Sequence, residues 1–333
     1  MKKYKVYGVG AALVDTEIKV QDAELAAMNV EKGLMTLVDE ARQNELLGHL
    51  EGHLVKATHA SGGSGGNSII ATALFGGPTF MSCKVANDKD GDIYLADLEA
   101  AGVDHSLDGE RDQGTTGKCL VLITPDAERS MNSYLGISET LSIEQLNPEA
   151  IADSEYLYLE GYQVTSDSGR AASVRAREIA QAAGVKTALS FSDPGMVEFF
   201  RDGMEQLVGE KVDLLFCNEA EAMGWCRTDS LDQTIEQIKQ VANTFAITLG
   251  AEGAIVFDGD ELVKIPVHQV HALDTNGAGD MFAGAFLYAI TRGEDFPTAG
   301  RFASLAAGKI VANYGPRLPA EQYRALRLEF FGN

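Results

Sequence analysis

Along the chain, short apolar runs of strand length alternate with longer segments whose apolar residues recur at helical spacing. Residues 4–9, YKVYGV, form the first run, rich in β-formers and closed by Gly10. The apolar segment 67–75 predicts a helix stopped by Gly76-Gly77. TFMSCKV over 79–85 predicts the next strand, and 90–101 a helix ended by Gly102. A second series follows, with a strand at 156–160 (YLYLE), an alanine-rich helix at 167–183 closed by Gly184, and a strand at 186–191. Then come a strand at 213–217, a helix at 231–243 and a strand at 245–249. Short apolar strands separated by helix-length crossovers predict a mostly parallel sheet with helices on both faces. Right-handed crossovers then gather the loops that follow the strands along one edge.

Two stretches break this rhythm. Residues 13–60 run LVDTEIKV, then a polar helical segment around 35–50, then HLVKATHA. Residues 105–135 read as short strands joined by polar turns, including KCLVLITP at 118–125. Together they predict a small β-sheet lid leaning over the main layers. No internal repeat or low-complexity linker interrupts the chain, so 1–333 is expected to be a single domain carrying that lid.

Length and composition agree with one large α/β core and a smaller appendage in 333 residues. With 45% apolar and 23% charged residues, a disordered chain is excluded. Forty-nine acidic residues against 27 basic ones give a net charge of −22, a surface that repels nucleic acid and anionic lipid. An anionic ligand would have to be met by backbone amides and a bound metal, against the overall field. No segment approaches bilayer length, and the opening residues are too short and glycine-broken for a signal peptide, so a cytoplasmic location is expected. Cys83, Cys119, Cys217 and Cys226 form no CxxC pair and read as buried small hydrophobes.

The sharpest local signal is Asp274-Thr275-Asn276-Gly277-Ala278-Gly279-Asp280, running into the helical MFAGAFLYAI of 281–290. A glycine turn feeding a helix N-terminus offers N–H groups and a positive dipole end to a phosphate. Asp280, in the first turn, suits either a base for a nucleophilic hydroxyl or an ordinary helix-start acid. Ser61-Gly62-Gly63-Ser64-Gly65-Gly66-Asn67-Ser68 predicts a second tight turn into a helix, with Asn67 able to donate to and accept from a polyol. Asp15, beyond Gly8 and Gly10, falls at the carboxyl edge, where it could accept two vicinal hydroxyl hydrogens or stand as a plain surface acid. Asn218-Glu219-Ala220-Glu221 follows the strand 213–217; its oxygens suit Mg²⁺ through water, and equally a helix cap. The P-loop, the complete dinucleotide fingerprint and HExxH are all absent.

With these residues in view, the chain resembles the ribokinase-like, or PfkB, carbohydrate kinases over nearly its whole length. DTNGAGD at 274–280 is similar to the family signature D-T-x-G-A-G-D, and SGGSGGNS at 61–68 to its glycine-rich substrate motif. NEAE at 218–221 resembles N-x-x-E, and Thr248, Gly250 and Gly253 fit T-x-G-x-x-G near the nucleotide. The resemblance implies a three-layer α/β/α domain with a small β-sheet lid, using ATP and Mg²⁺, with K⁺ as a potential activator near residue 274. It implies Asp280 as general base and Gly277, Ala278 and Gly279 as anion hole. Asp15, Gly63, Asn67 and the lid arginine Arg129 would hold the acceptor, and Asn218, Thr248, Gly250 and Gly253 the nucleotide. Glu221 would act on the metal through water. The acceptor is expected to be a small nucleoside or sugar and the protein a monomer or homodimer. HASGGSGGNS resembles a motif of adenosine kinases, which implies adenosine ahead of ribose, fructose, 2-keto-3-deoxygluconate, inosine or guanosine. Tyr134, Tyr162 and Phe191 are candidate walls for a base. The opposing readings are a catalytically silent binding protein on the same scaffold and, more remotely, a nicotinamide-dependent oxidoreductase.

Overall fold

The computed structural model describes residues 2–52, 58–107, 109–126 and 128–332. Residues 53–57, within the expected HLVKATHA segment, lie outside the described residues. The strands are β1 (Tyr4–Val9), β2 (Leu13–Lys19), β3 (Met35–Leu37), β4 (Thr58–Gly62), β5 (Thr79–Ser82), β6 (Val103–His105) and β7 (Gly117–Ile123). After them come β8 (Arg129–Tyr134), β9 (Ser154–Glu160), β10 (Lys186–Ser190), β11 (Val212–Asn218), β12 (Ala242–Thr248), β13 (Ala254–Phe257) and β14 (Leu262–Ile265).

Nine strands form the main sheet in the order β14-β13-β12-β11-β10-β9-β1-β5-β6. From β6 through β12 all neighbours are parallel, while β13 and β14 are added antiparallel at one end. The sequence pattern missed that final hairpin, whose strands have four residues each. The chain builds outward from β1 on one side through β5 and β6, then resumes on the other side at β9. The order therefore reverses beside β1, the kind of crevice where open α/β sheets bind ligands. Elsewhere the boundaries move by only a few residues; Ala242 and Asn243, expected in a helix, open β12 instead.

The five-stranded second sheet runs β3-β8-β7-β2-β4 and draws its strands from the two stretches that broke the repeating pattern. His105, the first residue of the second stretch, lies instead at the end of β6, which pairs with β5 in the main sheet. The glycine-rich segment 61–68 also departs from expectation. Ser61 and Gly62 end β4, the chain turns at Gly63 with φ +85°, and Ser64 already begins a helix that ends at Phe75. A Cβ on Gly63 would lie 2.3 Å from the Ala11 carbonyl oxygen, so the turn is closed to other residues.

Helix Ser64–Phe75 is buried on nearly every side because it lies between the sheet and helix Ala278–Thr291. Glycine permits both approaches. A Cβ on Gly8 of β1 would meet Ile69 Cγ1 at 2.4 Å, and one on Gly284 would meet the Ser68 carbonyl oxygen at 2.5 Å. This packing aligns the two helix N-termini over the carboxyl ends of β1 and β9.

Gly284→Val should push these helices apart. Overpacking of this kind costs about 1–3 kcal/mol, and a melting curve should show the loss together with reduced turnover. Gly48→Ala is the control, since it sits in the exposed helix Glu40–His49 with nothing within 4 Å of an added Cβ. That change should raise stability by roughly 0.5–1 kcal/mol.

Candidate active site

A cavity of about 590 Å³ opens where the small sheet faces the carboxyl edge of the main sheet. Its floor is supplied by strand ends in succession: Ala11 after β1, Glu160 on β9, Ser190 on β10, Asn218 on β11 and Thr248 on β12. The roof is the inward face of the small sheet. On β8 the residues Arg129, Met131 and Ser133 line it, followed by Leu135, and β2 adds Leu13 and Asp15. Strand alternation turns Tyr134 to the other face, so it does not line the cavity. Ser190 and Ser192 line it while Phe191 is fully buried against Trp225, with ring centroids 5.0 Å apart. Of the three aromatic walls expected from sequence, Tyr162 alone lines the cavity. The apolar part of the roof is aliphatic and thioether, with Met35 and Leu37 added from β3.

Asp280 lines the cavity from the first turn of helix Ala278–Thr291. Helix Ala278–Thr291 begins at Gly277, with φ +73°, and no side chain caps it. The Asp280 carboxylate turns instead to the other helix, accepting from Ser64 Oγ at 2.6 Å and Asn67 Nδ2 at 3.0 Å. Simple capping of its own helix is therefore not what this acid does. Burial pushes its pKa up, and the two hydrogen bonds oppose that rise. Gly279 is exposed with open space around its Cβ position, and Gly277 packs its Cα against Pro316. Gly277, Ala278 and Gly279 all line the cavity beside Asp280.

Asp15 is 5% exposed and Asn67 4%. Asp15 Oδ1 and Asn67 Oδ1 are buried acceptors with no partner among the described residues. Leaving such atoms unpaired costs about 1–3 kcal/mol each, and two of them beside one cavity call for a ligand rich in hydroxyl donors. Gly63 lines the cavity between them. Arg129 donates through Nη1 to the Thr275 carbonyl oxygen, tying β8 to the glycine turn. It is the one cationic side chain among the described lining residues, against Asp15, Glu128, Glu160, Asp193, Glu221 and Asp280.

On the opposite side, Asn218 and Glu221 form a reciprocal cap. Glu221 accepts from the Asn218 backbone N–H at 2.9 Å and from Asn218 Nδ2 at 2.7 Å, while Asn218 Oδ1 accepts from Glu221 N–H at 2.8 Å. Burial nonetheless pushes Glu221 up to about 7, and both residues line the cavity. Thr248 lines it too, whereas Gly250 and Gly253 do not. They are positive-φ glycines in the turn from β12 to β13, and a Cβ on Gly253 would strike the Ile265 carbonyl oxygen at 2.1 Å. No group of three or more potential metal-ligating side chains occurs among the described residues.

Sequence reasoning missed Ser64 and Glu160. Glu160 is buried and accepts from the backbone N–H of Gly65 at 2.9 Å and of Ala11 at 2.6 Å, and from Gln163 Nε2 at 2.9 Å. It thereby pins the start of helix Ser64–Phe75 to the end of β1. Its signal was present as a lone carboxylate ending the apolar run YLYLE.

The model of the pfkB family carbohydrate kinases matches residues 34–322. The chain is similar to the adenosine kinase of Saccharomyces cerevisiae, 28% identical over 94% of this chain and 96% of that one. It is also similar to the ribokinase of Staphylococcus aureus, 27% identical over 87% and 93%. Among solved structures, a probable sugar kinase from Rhizobium etli CFN 42 superposes with a TM-score of 0.92 at 30% identity, covering 100% of this chain and 99% of that one. The adenosine kinase from Sinorhizobium meliloti gives 0.92 at 32%, covering 98% and 99%. Those structures share the three-layer α/β architecture and the smaller second sheet. With a family match over most of the chain and the signature turn seated at the cavity, the protein belongs to the pfkB, ribokinase-like family: it is an ATP-dependent kinase of a nucleoside or sugar.

Proposed function

We propose that the chain is an adenosine kinase, moving the terminal phosphoryl group of ATP onto adenosine to give AMP. The observation that carries this is the pairing of two unpartnered hydroxyl-seeking oxygens, Asp15 Oδ1 and Asn67 Oδ1, with an apolar roof. A bare sugar would leave Leu13, Met35, Leu37, Met131 and Leu135 against water. A nucleoside offers ribose hydroxyls to the floor and an apolar base to the roof. Sequence similarity does not choose between the two, because the yeast adenosine kinase and the staphylococcal ribokinase stand within a percent of each other.

In this reading the acceptor hydroxyl lies beside Asp280, which takes its proton as the phosphoryl group transfers. Charge on the transferring oxygens meets the helix N-terminus at 277–279 and the Arg129 guanidinium. Closure of the small sheet over the cavity excludes water that would otherwise hydrolyse ATP. Six carboxylates around a site for a polyphosphate need a counter-cation, and Asn218 and Glu221 would hold Mg²⁺ through water, where it would neutralise phosphate charge. A potassium ion at the 274 loop belongs to the same proposal as an activator.

Turnover measured on a panel of nucleosides and sugars tests the acceptor. Adenosine should give the highest kcat/KM, and a clear preference for ribose or fructose would overturn the reading. Asp280→Asn should fold and bind both substrates but lose about 10²–10⁴-fold in turnover, roughly 3–5 kcal/mol in the barrier. A single-turnover rate near that of the unaltered protein would remove Asp280 as the base. Glu221→Gln should raise the free Mg²⁺ needed for half-maximal activity while lowering the melting temperature only slightly; an unchanged Mg²⁺ curve would assign Glu221 to the cap alone.

A further inference from the structure

Asp15 stands between two cavities. Beyond it, away from the glycine turn, lies a second space of about 420 Å³ bordered by Glu17, Asp97, Tyr314 and Arg317. The Asp15 carboxyl rests against the backbone of β4, since a Cβ on Gly62 would lie 2.1 Å from it. Where β4 sits therefore decides where that carboxyl sits. Next to Gly62, Ser61 donates both its backbone N–H and its hydroxyl to Asp97 Oδ2, at 3.1 and 2.7 Å. The same oxygen accepts from Arg317 Nη2 at 2.8 Å. Asp97 belongs to helix Lys89–Ala101, whereas Arg317 belongs to the segment that backs the glycine turn. In that segment Gly315 N–H donates to Asp274 Oδ2 at 2.9 Å, and the Pro316 carbonyl oxygen would be 2.4 Å from a Cβ on Gly277. A parallel tie runs from β2, where Glu17 Oε1 accepts from Asn276 Nδ2 at 3.1 Å.

We propose that Arg317, acting through Asp97 and Ser61, is a positioning residue for Asp15: it holds the acceptor-binding carboxyl in register with the glycine turn and sets its charge without touching substrate. The inference rests on the reading of Asp15 as the group that binds acceptor hydroxyls.

The charges around Asp15 give the proposal a direction. Burial first, and Glu17 on the same strand second, push it up to about 8; Arg317 and Arg129 pull it down, and Asp280 pushes it up. Cys119 on β7 and Tyr94 on helix Lys89–Ala101 also face it, both held protonated by burial. A carboxylate accepts two hydroxyl hydrogens better than a carboxylic acid does, so acceptor affinity should climb as pH rises through Asp15's titration. Removing the Arg317 charge moves that climb to higher pH. Removing the Asp97 charge leaves Arg317 unneutralised and moves it to lower pH.

Calorimetric titration of the full-length protein with adenosine from pH 6 to 9 tests this on Arg317→Gln, Arg317→Lys, Asp97→Asn and Asp15→Ala. Arg317→Gln should weaken adenosine about tenfold at pH 7, the effect of one unit in the titration of Asp15, and shift the climb upward. Arg317→Lys should recover most of the loss, and Asp97→Asn should shift the climb downward. ATP affinity should be unchanged in the Arg317 and Asp97 variants. Shifts of the same sign for Arg317→Gln and Asp97→Asn, or a lowered melting temperature with no shift, would overturn the positioning role. Unaltered adenosine binding by Asp15→Ala would instead overturn the underlying reading of Asp15, and the inference with it.

Discussion

The arrangement depends on how closely one helix can lie between the sheet and a second helix. Glycine at 8 and 284 removes the side chains that would hold helix Ser64–Phe75 away from β1 and from helix Ala278–Thr291. That close approach sets Ser64 and Asn67 within hydrogen-bonding distance of Asp280 across more than two hundred residues of chain. Backbone proximity through small residues is thus the condition for the chemistry. Packing at interior density transmits any change in that spacing to the carboxylate. Glu160 completes the arrangement from the sheet side by fixing the first turn of the same helix.

Electrostatically, the site works against the protein that contains it. The chain carries a charge of −22, and the described cavity lining holds six carboxylates and one arginine. In the proposed reading, an anionic cosubstrate is held there by local devices: a helix N-terminus, Arg129 and counter-cations. Burial raises the pKa of Asp280, Asp15, Glu160, Asp193 and Glu221 alike. Glu160 answers that cost with backbone N–H partners, as Glu221 does with the cap it shares with Asn218. Asp15 has no such partner on Oδ1, and its stabilisation is left to more distant arginines and to a ligand.

Much of this was legible in the sequence because its signals are local. The parallel strands were written as apolar runs, and the helix starts as glycine turns, DTNGAGD among them. What escaped was set by tertiary parity and distance. Whether Tyr134 or Ser133 faces the cavity follows from the register of β8 against β7, while Phe191, just past the end of β10, turns into the core between Ser190 and Ser192. The segment 61–68 reads as a tight turn into a helix that starts near 67, yet Ser64 through Ser68 are already helical, because Glu160 and a buried environment supply what glycine lacks in propensity. The hairpin β13–β14 was missed because four-residue strands carry too few positions for periodicity to emerge.

The two sets of acceptors in the cavity are in different states, and the difference orders the site. Asp15 Oδ1 and Asn67 Oδ1 are empty, whereas both Asp280 oxygens already accept a proton donor. A carboxylate oxygen has two lone-pair sites, so an incoming hydroxyl joins Ser64 or Asn67 at Asp280 without displacing it. The bonds already present fix the carboxylate's rotation and oppose the rise that burial imposes on its pKa, so in the proposed reading it meets the hydroxyl already oriented. In the proposed reading the two unpartnered acceptors serve a different end, favouring a ligand that brings two hydroxyl donors over one that brings none. The proposed function thus assigns recognition to the unsatisfied oxygens and proton transfer to the satisfied ones, and in it Asn67 joins the two, its amide nitrogen on Asp280 and its amide oxygen left for the acceptor.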